Sequence, residues 1–76
     1  MQTTYLITVG EPNINGIMSD DFEETLVFVG RLIEQLNKDE NNIGKCIYVS
    51  EYELNDTGKY VKKENGFCKN YQISLE

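Results

Sequence analysis

Between Phe22 and Leu36, apolar side chains recur at spacings of four, three, four and three: Phe22, Leu26, Val29, Ile33 and Leu36. At ~100° per residue these five positions fall on one narrow stripe, the signature of an amphipathic helix. The rest of the chain carries strand patterns, so a single helix has to cover a single sheet.

Local chemistry sets the ends of that helix. It is expected to start at Ser19 or Asp20, with Asp20 and Glu23 spaced as a capping box. Asp20, Asp21, Glu23 and Glu24 crowd the first turn, where the helix dipole favours negative charge. Lys38 stands near the far end, four residues after Glu34, and the polar run Asn37 to Gly44 stops the helix.

Around the helix the period shortens to two. Thr3 to Val9 alternates β-branched and aromatic residues and reads as a strand, apolar enough on both faces to be interior. Gly10 to Ser19 reads as a loop, in which Ile14, Ile17 and Met18 either tuck over the end of the core or contact a partner. Lys45 to Leu54 is the second strand, with Cys46, Tyr48, Ser50, Tyr52 and Leu54 on one face and Ile47, Val49, Glu51 and Glu53 on the other. Asn55 to Gly58 is a turn, and Lys59 to Lys63 a short lysine-rich strand. Asn65-Gly66 is a strong two-residue hairpin signal. Phe67 to Leu75 is the last strand, placing Phe67, Lys69, Tyr71, Ile73 and Leu75 on one face.

The expected fold is therefore α+β, in the order β-α-β-β-β, with one helix packed on a mainly antiparallel four-stranded sheet. If the first two strands are parallel neighbours, the crossover between them is right-handed. One sheet face is left open, bearing residues such as Tyr60, Lys62, Asn70 and Gln72. At 76 residues the chain forms one domain, residues 1–76, with a thin core.

Composition narrows the function classes. The chain has no His and no Trp, so the commonest general base and transition-metal ligand are missing. No enzyme activity, cofactor or metal site is expected. Cys46 and Cys68 read as two reduced thiols, with a single disulfide between adjacent strands as the alternative. Neither a signal peptide nor a stretch of ~18 apolar residues is present, so a cytoplasmic protein that neither crosses nor binds membranes is expected.

Charge is the most informative feature. The net charge is −6, and all of it belongs to residues 1–40, because residues 41–76 balance five acids with five bases. The candidate partner-binding residues are Asp20, Asp21, Glu23, Glu24, Glu34, Asp39 and Glu40, which would line the helix with carboxylates. Carboxylates three or four residues apart on a helix lie ~5–6 Å from each other, within the range of DNA phosphate spacing. Ordinary capping and solvation account for the same residues without a partner. Val27, Phe28 and Leu32 are candidate self-association residues, unless the sheet wraps the helix and covers Phe28 and Leu32.

The expected function is a non-enzymatic protein-binding module: a small acidic inhibitor, resembling DNA, aimed at the basic surface of a DNA-binding protein. Its size and composition suit a phage-encoded protein, and a homodimer would double the acidic face. The alternative is nucleic-acid binding through the hairpins, where Tyr48, Tyr52, Tyr60 and Tyr71 stand among Lys59, Lys62, Lys63 and Lys69. Direct nucleic-acid binding is the weaker expectation, because that half is neutral rather than basic.

Overall fold

Alternating β-branched and aromatic residues make Gln2–Val9 an eight-residue strand, β1, at the interior of a five-stranded, wholly antiparallel sheet. The structure, a computed structural model, describes residues 2–10 and 16–75. The elements that follow are β2 (Ile17–Ser19), α1 (Phe22–Leu36), a single 3-10 turn (Glu40–Asn42), β3 (Cys46–Leu54), β4 (Tyr60–Lys62) and β5 (Cys68–Gln72). The sheet order is β2-β1-β3-β4, with β5 also on β3. This is the expected α+β architecture with one more strand than the sequence pattern predicts.

The extra strand is β2. Ile17, Met18 and Ser19 pair with Ile7, Leu6 and Tyr5. Three residues are too few to show an alternation, so this strand reads as loop in the sequence. The remainder of that expected loop, residues 11–15, lies outside the described residues. Gly16 permits the pairing: a Cβ there would land on the Ile7 carbonyl oxygen and the Thr8 methyl. Because β2 reverses the chain before the helix, β3 returns antiparallel to β1, from Val9↔Ile47 to Gln2↔Leu54. No parallel crossover exists between these strands.

The last third differs from the expected pair of hairpins. β4 and β5 do not pair with each other across Asn65-Gly66. Both lie end to end along the same edge of β3, at Tyr52↔Lys62 and at Ser50↔Cys68. Residues 63–67 loop out between them, opposite one residue, Glu51. That residue holds the loop with all four of its hydrogen-bonding groups. Its backbone N–H donates to the Phe67 carbonyl, and its carbonyl accepts from the Lys63 N–H. Its Oε1 accepts from the Phe67 N–H at 2.9 Å, and its Oε2 accepts from Lys63 Nζ at 3.1 Å. A glycine is needed at 66, since a Cβ would sit 2.8 Å from that of Lys63 and 3.0 Å from that of Glu51. The carboxylate competes for the backbone groups that a two-residue hairpin would use, and the loop wins.

The helix also starts one residue later than expected. Asp21, not Asp20, is the N-cap, and its Oδ1 accepts from the Glu24 N–H at 3.0 Å. Thr25 fixes this register. It is fully buried, and its hydroxyl donates to the Asp21 carbonyl at 2.7 Å. A satisfied hydroxyl can face the core, so the buried stripe rotates to Thr25, Val29, Leu32, Ile33 and Leu36, with Phe28 packed on its flank. Phe22 and Leu26, expected inside, each remain 38% exposed. Phe22 instead closes the end of the core in an aromatic cluster, 5.4 Å from Tyr5 and 5.0 Å from Phe67 between ring centroids.

The core is one cluster of Ile7, Val29, Ile47, Val49 and Ile73. It lies between the helix and the sheet face that carries Tyr5, Ile7, Ile47, Val49 and Tyr71. The final strand ends at Gln72 rather than Leu75. Ile73 turns into the core, and its backbone clamps Gly44 and Lys45 with two hydrogen bonds. No helix among the described residues is long and apolar enough to cross a membrane.

Candidate functional site

Helix geometry decides where the carboxylates stand. With Val29 pointing into the core, Glu23 and Glu34 lie on one line on the solvent side, eleven residues apart. Glu24 lies about 100° round from Glu23, on the other side of Arg31. Asp20 and Asp21 extend the N-terminal end. Asp39 and Glu40 lie beyond the C-terminal end, where Asp39 Oδ1 caps the 3-10 turn by accepting from the Asn41 N–H at 2.9 Å.

All seven residues are exposed. The structure gathers them into two groups rather than one row: four at the helix start and three at its end. From Glu24 to Glu34 the helix rises about 15 Å, which separates the groups. Between them the outer face carries Val27 and Arg31. Among the described residues, none of the seven carboxylates is in an ion pair. The two ion pairs among the described residues both use Lys63, with Glu51 at 3.1 Å and Glu53 at 3.5 Å. This lysine is therefore turned toward its own sheet. The Phe67 N–H and then the Lys63 ammonium hold the Glu51 carboxyl below its ordinary range, and the Glu51 carboxylate raises the Lys63 ammonium above its own.

The three self-association candidates separate. Val27 is 54% exposed, whereas Phe28 and Leu32 are half-buried against the chain's own core. The sheet thus covers the two larger side chains, and a contact patch made of all three does not exist on the surface.

The tyrosines and lysines of the hairpins also separate. Tyr48, Tyr52, Tyr60 and Lys62 share the face away from the helix. Tyr71 lies on the helix-bearing face, with Lys69 Nζ 5.1 Å from its ring centroid. Among the described strand residues, Lys62 is therefore the one lysine that shares the outer face with the tyrosines. Cys46 and Cys68 are both free thiols. Their partners in the ladder, Gln72 and Ser50, put them four positions apart along β3, about 13 Å, beyond disulfide reach. Among the described residues, no three Cys, Asp or Glu side chains converge to hold a metal ion.

One feature of the surface escapes the sequence pattern. A groove of 320 Å³ crosses the face away from the helix, lined by Leu6, Met18, Tyr52 and Tyr60. Its four residues come from four strands, so only the register brings them together. The available signal was parity: on β3, both acids, Glu51 and Glu53, fall on the opposite face. Comparison of the chain with protein-family models, with curated proteins and with solved structures finds no significant match, so its own residues carry the functional argument.

Proposed function

We propose that this chain is a non-enzymatic protein-binding module whose helix carboxylates engage a basic protein surface. The reading is carried by one observation: seven exposed carboxylates flank a single helix, and none is neutralised by a cation among the described residues. Carboxylates left in water at no desolvation cost are available to pair with Lys or Arg that otherwise hold phosphate. The finer form is a small DNA-mimicking inhibitor of a DNA-binding protein, of the kind a phage would direct at host machinery.

The test is capture of a DNA-binding protein from cell extract, followed by competition with duplex DNA. Changing Asp20 and Asp21 to Asn and Glu23 and Glu24 to Gln removes four charges and leaves the fold intact, because Asn caps a helix as well as Asp does. The expected result is loss of capture by this variant and release of the bound protein as salt rises. Undiminished capture with the same salt dependence refutes the proposal. Retention of the wild-type chain on nucleic acid at low salt would support the hairpin alternative instead.

A further inference from the structure

The face away from the helix is the place where the chain is least like a surface meant only for water. Register assigns it the alternate residues of β1 from Thr4 to Thr8 and of β3 from Cys46 to Leu54, with Met18 from β2. The edge adds Tyr60, Lys62, Cys68, Asn70 and Gln72. The chain has 13 acids, yet no described residue on this face is acidic, and its single charge is Lys62 on an edge strand. Tyrosine and methionine enriched, carboxylates absent, one charge at the rim: this is the composition of an interface core rather than of ordinary surface.

We infer that this face binds a second copy of the chain, sheet against sheet. Size supports the occupant. A compact monomer of 8.8 kDa exposes about 4,800 Å², whereas this chain exposes 5493 Å². The excess of roughly 700 Å², a total for the chain, is of the same order as the ~800 Å² that each partner covers in a standard interface. The radius of gyration, 13.1 Å against about 11.4 Å expected for this length, marks the same departure from a closed globule.

Charge selects the geometry. Two copies at −6 each repel, so a dimer is favoured only if the contact excludes the carboxylates. The helix side brings Glu23, Glu24 and Glu34 together with their own copies, whereas the sheet face keeps them a full layer away. Shape fits as well. Met18 is 45% and Tyr60 47% exposed beside the groove they help to line, so each copy offers both a knob and a slot. A two-fold contact needs such self-complementarity. Facing sheets then pack about 10 Å apart; Thr4, Leu6 and Thr8 are already buried within the chain, so the half-buried Tyr48, Tyr52 and Leu54 and the exposed Met18 and Tyr60 make the contact.

Sedimentation equilibrium over a hundredfold range of concentration tests this directly. Wild type is expected to approach twice 8.8 kDa. Met18→Glu and Tyr60→Glu, each at an exposed position, are expected to sediment as monomers with unchanged far-UV circular dichroism. Val27→Glu, on the outer side of the helix, is expected to remain dimeric. Added salt should tighten the dimer by screening the like charges, the opposite of its effect on an acid–base complex. A wild type that stays monomeric throughout would overturn the inference and leave the face to another apolar partner. Dissociation by Val27→Glu with both sheet variants still dimeric would overturn it in favour of the helix.

Discussion

Replacing Ile73 by Ala is the sharpest perturbation of the fold. Ile73 and Leu75 have the same parity in the sequence and would share one face of a strand running through Leu75. In the structure Ile73 is 0% exposed within the core cluster, and Leu75 is 76% exposed. Ile73→Ala deletes three buried carbons, at ~0.8 kcal/mol each, and leaves a cavity between the helix and β3, for a total of about 3–4 kcal/mol. The backbone clamp, Ile73 N–H to the Lys45 carbonyl and Gly44 N–H to the Ile73 carbonyl, is unaffected by the change. The loss therefore reads side-chain burial alone.

A chain of 76 residues has roughly 4–11 kcal/mol of stability in all. The variant thus forfeits about a quarter of it or more. With a urea slope of ~1 kcal/mol/M, the midpoint should fall by about 3–4 M. Urea titration followed by circular dichroism gives that number, and Leu75→Ala is the control, expected within about 0.5 kcal/mol of wild type. Equal shifts for the two variants would show that the strand continues past Gln72 and that Ile73 does not close the core.

Glu51→Gln tests the loop between β4 and β5 through pH. The folded carboxyl titrates below its ordinary value of 4.5, so its contribution is present above that pH and is lost as pH falls through the lowered value. Stability measured from neutral to acid pH should fall less steeply for Glu51→Gln than for wild type; parallel curves would contradict the assignment. Asp21→Ala should cost about 1 kcal/mol and Asp20→Ala almost nothing, which thermal denaturation can compare. A larger loss at Asp20 would restore the earlier helix start.

The sequence was legible wherever a pattern repeats often enough to average out local exceptions. The helix spans four turns, and β1 and β3 eight and nine residues, so all three stand where periodicity puts them. It was illegible where one side chain decides. The N-cap moved by one residue because a buried Thr25 needed the Asp21 carbonyl. The Asn65-Gly66 hairpin gave way because Glu51, distant in sequence, supplied two carboxylate oxygens and a backbone pair. β2 is three residues long and exists because β1 offers it an edge. The candidate carboxylates could be named from the sequence, since exposed acids need no partner within the fold. Their division from the acid-free sheet face could not, because it depends on which side of the helix the sheet occupies.

That division also changes what a dimer would do. The helix and the acid-free sheet face lie on opposite sides of one layer of strands. Two copies joined through their sheets would hold their helices outermost, each about 10 Å beyond its own sheet, on axes roughly 30 Å apart. The acidic groups of the two copies would then point in opposite directions. Pairing would not double a single anionic face, as two helices packed side by side would. It would produce a bivalent particle whose two acidic sides meet separate partners, with the acid-free faces buried between them. Such an arrangement would account for the acid-free face of so small a chain: that face can hold a like-charged copy only if it carries no carboxylates.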